Sequence, residues 1–181
     1  MADEVEEMKL NIGCGEKILE GYVNLDKFKV KGVDVVHDIE KSPWPFKENS
    51  FDEVECNMIL EHTGDLVKVM KEIHRVSANN SLIRIKVPYF SCPSNFIDPT
   101  HKRLFSYYSF DAFTRDEEYN IFQFDPDMPK FKIVKRRIIF YSLLKILEPI
   151  FNLKFMVKPY TGLFSYILPA GELYFVLKVI K

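Results

Sequence analysis

Two glycines close the first apolar run of the chain, in Leu10-Asn11-Ile12-Gly13-Cys14-Gly15-Glu16. Glycine there lets the backbone turn sharply and approach a ligand with no side chain between them. The second run ends in Asn24-Leu25-Asp26 and the third in Val35-Val36-His37-Asp38-Ile39. A carboxylate at the end of the strand beside a glycine loop can accept hydrogen bonds from both hydroxyls of a ribose, which suits Asp26. Asp38 could accept the exocyclic amine of adenine while Ile39 packs on the ring. Together these residues describe a nucleoside site. Gly13 to Ile18 lacks the third glycine of a dinucleotide fingerprint, and no Gly-Lys-Ser/Thr follows it, so a pyrophosphate ligand is disfavoured.

Acid–base chemistry near neutral pH points to histidine. His62 follows the fourth apolar run in Asn57-Met58-Ile59-Leu60-Glu61-His62, and His101 lies in the polar loop Asp98-Pro99-Thr100-His101-Lys102-Arg103. Both are candidate catalytic residues. His74 falls inside a helical pattern and is expected to be packed or solvated; His37 flanks Asp38. Two histidines and Asp98 do not make a recognised metal-ligand spacing, so no metal is expected. Cys14, Cys56 and Cys92 form no CxxC pair and are odd in number, which supports neither a zinc site nor a disulfide framework and fits a reduced, cytoplasmic setting.

The elements that must position these residues are short. Met8 to Ile12, Tyr22 to Leu25, Val33 to Val36, Phe51 to Cys56 and Leu82 to Val87 are apolar runs bounded by turn residues and are expected as buried strands. Asp65 to Val76 carries Leu66, Val69, Met70, Ile73 and Val76 at helical spacing, with Thr63 or Asp65 as N-cap. Strand, helix, strand implies a parallel crossover. Phe131 to Tyr141 and Glu172 to Ile180 are expected as two longer strands, with the apolar stretch Leu143 to Ala170 between them.

The ordered set Leu-Asn-Ile-Gly-Cys-Gly, Val-Asn-Leu-Asp, Val-Val-His-Asp-Ile, Trp-Pro-Phe-Lys-Glu-Asn-Ser-Phe-Asp-Glu-Val and Ile-Leu-Glu-His resembles the class I S-adenosylmethionine-dependent methyltransferases, specifically the small type-11-like group. The resemblance covers roughly Met8 to Tyr89. It implies an α/β, Rossmann-like methyltransferase fold with a mostly parallel sheet and an antiparallel last strand. It also implies S-adenosylmethionine as cofactor, with Gly13, Cys14 and Gly15 beside the methionine part. Asp26 would lie on the ribose, Asp38 and Ile39 at adenine, and Asn57 beneath the sulfonium end. Two departures stand out. Ala78-Asn79-Asn80-Ser81 replaces the family's Pro-Gly-Gly turn, and Asn tolerates the left-handed conformation such a turn needs. The early crossovers, Gly13 to Gly21 and Lys27 to Gly32, are too short for full helices. One face of the sheet should then lack cover, and Leu143 to Ala170 or a second subunit is expected to fold over it.

The 181 residues, 47% hydrophobic and 28% charged, suit a single domain with one core. The cofactor-binding core is placed at 8–89, acceptor-side loops and a helix at 90–130, and an apolar insertion at 143–170. Net charge is -1. From Pro129 onward ten Lys/Arg face two acids, against 15 and 24 before it. The basic third could meet an anionic partner or be a solvated face neutralised by the acidic half. The acidic Met1 to Glu7 is no signal peptide, and 143–170 is too interrupted to span a membrane.

No Asn/Asp-Pro-Pro-Tyr and no Pro-Cys motif is present, which argues against methylation of nucleic-acid bases. A small-molecule or glycan-type acceptor, methylated at oxygen, is the preferred expectation. A nucleic-acid (RNA) methyltransferase and a non-catalytic S-adenosylmethionine-binding or peripheral membrane module remain as alternatives. A homodimer or a membrane-surface contact is compatible with the apolar insertion. The aromatics of Arg103 to Phe113 are expected as core positions on a helix, with a stacking wall for a sugar or ring as the alternative.

Overall fold

The computed structural model describes residues 7–114 and 125–181. Residues 1–6 of the acidic N-terminus and residues 115–124 of the acceptor-side segment lie outside the described part. Seven strands form one sheet: β1 (Lys9–Ile12), β2 (Val23–Asp26), β3 (Val35–Val36), β4 (Phe51–Asn57), β5 (Ser77–Pro88), β6 (Phe131–Ile139) and β7 (Glu172–Val179). Their spatial order is β3-β2-β1-β4-β5-β7-β6. Strands β1 to β5 pair in parallel, while β7 runs antiparallel to both β5 and β6.

Helix α1 (Leu66–Val76) forms where its periodicity predicts, and Asp65 caps it by accepting from the Lys68 amide at 2.9 Å. It buries Leu66, Val69, Met70, Ile73 and Val76 and runs straight into β5. The excess residues of the departed turn leave the β4–β5 ladder as an irregularity between Phe51 and Glu53, and Asn80 takes the left-handed conformation at φ 69°. Trp44 locks the preceding loop onto this helix. Its indole N–H donates to the Ile39 carbonyl at 3.0 Å and its amide to Glu72 Oε2 at 2.6 Å.

Register partners share a face of a sheet, and here the two faces differ in kind. Leu10, Ile12, Leu25, Val54, Cys56, Ile83, Ile85, Phe175 and Leu177 are all fully buried and point to one side. On the other side stand Lys9, Asn11, Asn24, Glu53, Glu55, Arg84, Lys86 and Tyr174. Tyr22 OH and Arg84 Nε both donate to Glu53 Oε1, at 2.7 and 2.8 Å, and Lys86 pairs with Glu172 at 2.5 Å. The strands are therefore half-buried and alternating rather than buried on both faces. This corrects the expectation that a bare apolar face needs cover. The face over the short crossovers is polar, and Tyr22, Glu53 and Arg84, and Lys86 with Glu172, pair across it.

The crossovers hold their shape through buried amides instead of helices. Asn11 Nδ2 donates to Asn24 Oδ1 and to the Lys17 carbonyl, both at 2.9 Å. Asn24 Oδ1 also accepts from the Leu19 amide at 2.9 Å, and Asn24 Nδ2 donates to the Leu19 and Tyr22 carbonyls at 3.1 and 3.0 Å. Asp34 Oδ2 accepts from the Asn24 amide at 2.8 Å. Two side chains thus satisfy backbone groups that a helix would have satisfied by itself.

Residues 143–170 do fold, but elsewhere. After α2 (Ser94–Ile97), the chain forms α3 (Glu148–Phe151) and α4 (Lys154–Gly162) flanked by short 3₁₀ turns. Phe151 and Tyr160 pack on each other with ring centroids 4.8 Å apart, and Tyr160 also meets Phe140 and Tyr89. The segment caps the ends of β5 and β6, far in the strand order from β1 to β3. Of the aromatics at 103–113, Phe105, Phe110 and Phe113 are buried in the core, Tyr107 and Tyr108 are half-buried, and none lies on a long helix. Phe105, held at an isolated parallel bridge to Tyr89, stacks on Phe110 in the turn that leads into the 3₁₀ turn Asp111–Phe113. All three cysteines are buried and free. No helix among the described residues is long and apolar enough to cross a membrane.

Candidate active site

The carboxyl ends of β1 to β4 open into one cavity of about 660 Å³, lined by Gly13, Gly15, Asp26, Phe28, Asp38, Ile39, Glu40, Ile59, His62, Thr100 and Lys102 among others. That is where an open parallel sheet binds its ligands, and the volume suits a nucleoside-sized molecule. Gly13 is doubly constrained. It sits at φ 62°, and an added Cβ would fall 2.2 Å from Ile59 Cγ1. Gly15, at φ 50°, has open space where a side chain would project, so the loop leaves room beside its backbone.

Asp26 is buried, and its two oxygens accept from the Gly15 amide (Oδ2, 2.9 Å) and the Phe28 amide (Oδ1, 2.9 Å). Each carboxylate oxygen retains further acceptor capacity, so the residue both shapes the loop and can take ligand hydroxyls. Asp38 Oδ1 accepts from the Glu40 amide at 3.1 Å, and Oδ2 has no hydrogen bond to protein among the described residues. At the mouth, Glu40 pairs with Lys102 Nζ at 3.0 Å and accepts the Gly64 amide. These bonds hold the Glu40 carboxyl below its usual value.

Five of the seven sequence-predicted cofactor residues line this cavity. Cys14 and Asn57 instead line a smaller one of about 220 Å³, together with Asn11, Lys17, Leu19 and Glu55, and Gly13 borders both. Asn57 continues the polar-side alternation of β4, which carries it away from the larger space. Its Oδ1 is buried without a partner. The Cys14 thiol is pushed up by burial and by Asp26, so it is no thiolate.

His62 and His101 come together. Their rings meet edge to face at 4.8 Å, although 39 residues of sequence separate them. The contact is made by a loop docked on the turn that carries His62, since the Lys102 and Arg103 amides both donate to the Glu61 carbonyl, at 2.8 and 3.2 Å. Thr100 Oγ1 donates to Asp98 Oδ1 at 2.6 Å and lies 2.9 Å from His62 Nδ1. With its proton given to Asp98, that hydroxyl can only accept from His62. The N–H therefore sits on Nδ1, leaving the lone pair on Nε2. Burial, with His101 nearby, lowers the His62 pKa, which keeps the imidazole unprotonated at neutral pH.

Sequence reasoning passed over Glu61. It is 2% exposed, its Oε2 has no hydrogen-bond partner, and its carboxyl is raised to about 7 by burial and by Asp98 and Glu172. The available signal was an acid inside an apolar run beside a histidine. Glu40 and Lys102, which close the mouth, carry no signal of that kind.

A Rossmann-like sheet of this strand order, with two carboxylates and a glycine loop on one cavity, defines the class I methyltransferase fold. Residues 10–85 match the family model described as a methyltransferase domain. Three solved structures share the fold. The YcgJ protein from Bacillus subtilis is 14% identical with a TM-score of 0.61, covering 97% of this chain and 92% of that one. A SAM-dependent methyltransferase from Archaeoglobus fulgidus is 16% identical with a TM-score of 0.60, covering 95% and 86%. An S-adenosylmethionine-dependent methyltransferase from Mesorhizobium loti is 11% identical with a TM-score of 0.56, covering 95% and 90%. No curated protein matches the chain. The match over residues 10–85 and the fold shared with these structures are consistent with a class I S-adenosylmethionine-dependent methyltransferase.

Proposed function

We propose that the larger cavity holds the adenosine and sulfonium of S-adenosylmethionine, with adenine against Ile39 and Asp38 and the ribose on Asp26, while the methionine tail passes Gly13 to Gly15 into the smaller cavity of Cys14 and Asn57, which Gly13 also borders. On this reading the methyl group goes to the oxygen of a small-molecule or glycan-type acceptor at the His62 and His101 side. The observation that carries the reading is the convergence of Asp26 and Asp38 on one cavity beside the open Gly15 backbone. A hydrogen bond to a charged carboxylate contributes roughly 1.5 to 3 kcal/mol, so these two residues can account for much of the nucleoside affinity.

When bound, S-adenosylmethionine supplies an electrophilic methyl group whose carbon–sulfur bond breaks as the acceptor oxygen bonds to it. The protein's part is positioning, which can supply most of the acceleration of such a displacement, and removal of the hydroxyl proton. His62 is suited to take that proton, because its Nε2 carries the lone pair and the Asp98–Thr100 pair fixes the ring.

The reading includes a cytoplasmic protein, in keeping with three free thiols, and contact with a membrane surface. Leu143, Phe155 and Tyr166 are 91%, 73% and 73% exposed on the segment that also carries Lys145, Lys154 and Lys158. Apolar and basic side chains in that mixture favour an anionic lipid interface. A second copy of the chain is the competing occupant, and vesicle flotation against sedimentation equilibrium separates the two.

Calorimetry with S-adenosylmethionine tests the cofactor site. Wild type should bind one equivalent, and Asp26→Ala should bind at least tenfold more weakly. Failure of wild type to bind, or unchanged binding by the variant, would sink the assignment.

A further inference from the structure

We propose that Glu61, His62 and His101 form a binding site for one divalent first-row transition-metal cation at the acceptor side of the cavity. Its place in the reaction rests on reading that cavity as the cofactor site; its chemistry does not. One donor atom from each of the three residues lies within 4.8 Å of the others. Around a cation with bonds of about 2.0 to 2.2 Å, neighbouring ligand atoms stand about 3.0 to 3.5 Å apart. Side-chain rotation bringing the donors roughly 1 Å closer would complete the set.

The second observation is what the buried donors lack. Glu61 is 2% exposed, yet its Oε2 accepts no hydrogen bond, and His101 Nδ1 is buried in the same condition. An unpaired buried carboxylate is costly unless a cation or a proton compensates it. The basic side chains near it are committed elsewhere. Lys102 holds Glu40, Arg103 donates to the Thr63 and Gly64 carbonyls, and Lys86 holds Glu172. The charged side chains that act on Glu61 are Asp98 and Glu172, both carboxylates. Lys27 also lines the cavity and acts on His62, but the charged groups that act on the Glu61 carboxyl itself are both negative.

The remaining details suit ligation. His62 is held as the Nδ1–H tautomer by Thr100, which is itself bonded to Asp98; a carboxylate acting through a hydrogen bond on the far ring nitrogen is the usual support of a metal-binding histidine. The two backbone bonds onto the Glu61 carbonyl fix the loop that delivers His101. Two imidazoles and one carboxylate select zinc, manganese or iron over magnesium or calcium and leave coordination positions open to an acceptor oxygen; a cation there would take the His62 Nε2 lone pair, and acidification of the bound hydroxyl would replace His62 as base.

The test is direct titration of EDTA-stripped full-length protein with zinc chloride or manganese chloride alone, followed by calorimetry, with metal content measured after dialysis. One cation per chain is expected at micromolar affinity or tighter. Glu61→Gln, which preserves shape, should bind it at least tenfold more weakly while its affinity for S-adenosylmethionine stays within twofold. His101→Gln should show the same loss of cation binding, and thermal melts establish that both variants fold. Absence of cation binding by wild type, or equal binding by both variants, overturns the proposal and leaves a proton as Glu61's compensation. Cation binding that persists in a protein unable to bind S-adenosylmethionine would count against the cofactor reading alone.

Discussion

The two faces of the sheet meet the same requirement by opposite means. On one face, α1, Trp44 and the Phe105–Phe110 stack bury a continuous apolar surface. On the other, tyrosine, glutamate, arginine and lysine side chains lie across the strands and bond to each other. The contrast explains how crossovers of about ten residues replace helices in a parallel sheet. Once the outward positions of β1, β4 and β5 are polar, no helix is required to hide them, and two asparagines suffice to satisfy the loops. The same economy leaves the carboxyl ends of β1 to β3 close to one another, where the cavity forms.

The comparison can be broken most severely from the apolar side. Phe175→Ala removes a fully buried ring that packs edge to face on Phe110 at 4.8 Å. It should cost about 3 to 5 kcal/mol in urea unfolding; a loss comparable to that of a surface substitution would mean that this face is not the main core. Next comes the buried amide network. Asn24→Ala leaves the Leu19 amide without its acceptor and removes one of the two bonds of Asn11 Nδ2, for a loss of about 2 to 3 kcal/mol. It should also raise amide exchange across residues 13–22 specifically, whereas uniform exchange would show that the loop is held by something else.

The smallest effect belongs to the polar face. Arg84→Met should cost about 1 kcal/mol or less at neutral pH, because the pair is partly solvated. Burial alone would push the Glu53 carboxyl up, but the bonds from Arg84 and Tyr22 outweigh it and hold it below its usual value of 4.5. A depressed folded-state value stabilises the protein above 4.5 and is lost as pH falls through the folded value. The variant should therefore lose less stability than wild type on acidification below pH 4.5. Parallel acid limbs for the two proteins would contradict this account of the face.

Much of the site was legible from sequence because it rests on strand ends. The turn residues after Ile12, Leu25 and Val36 mark where three strands stop, and parallel pairing then places Gly13, Asp26 and Asp38 side by side. The contact of His62 with His101 was not legible, since it depends on a loop docking through backbone bonds that no side-chain pattern announces. Glu61 was missed because its burial arises only after that docking. The alternation in Phe51-Asp52-Glu53-Val54-Glu55-Cys56 and in Ile83-Arg84-Ile85-Lys86-Val87 does spell a one-sided sheet. Read as apolar runs alone, these segments suggested strands buried on both faces and a covering segment where none is required. Residues 143–170 carry no local pattern that fixes where they pack, because the aromatic contacts that hold them at β5 and β6 are long-range.

The central claim is that the polar-backed, short-crossover half of the sheet builds the cofactor site. A crystal structure with S-adenosylhomocysteine tests it most directly. The account predicts the ribose hydroxyls on Asp26, the adenine amine on Asp38 Oδ2 with the ring against Ile39, and the sulfur directed toward His62. A nucleoside bound anywhere else, or one that leaves Asp26 and Asp38 without ligand contacts, would contradict it.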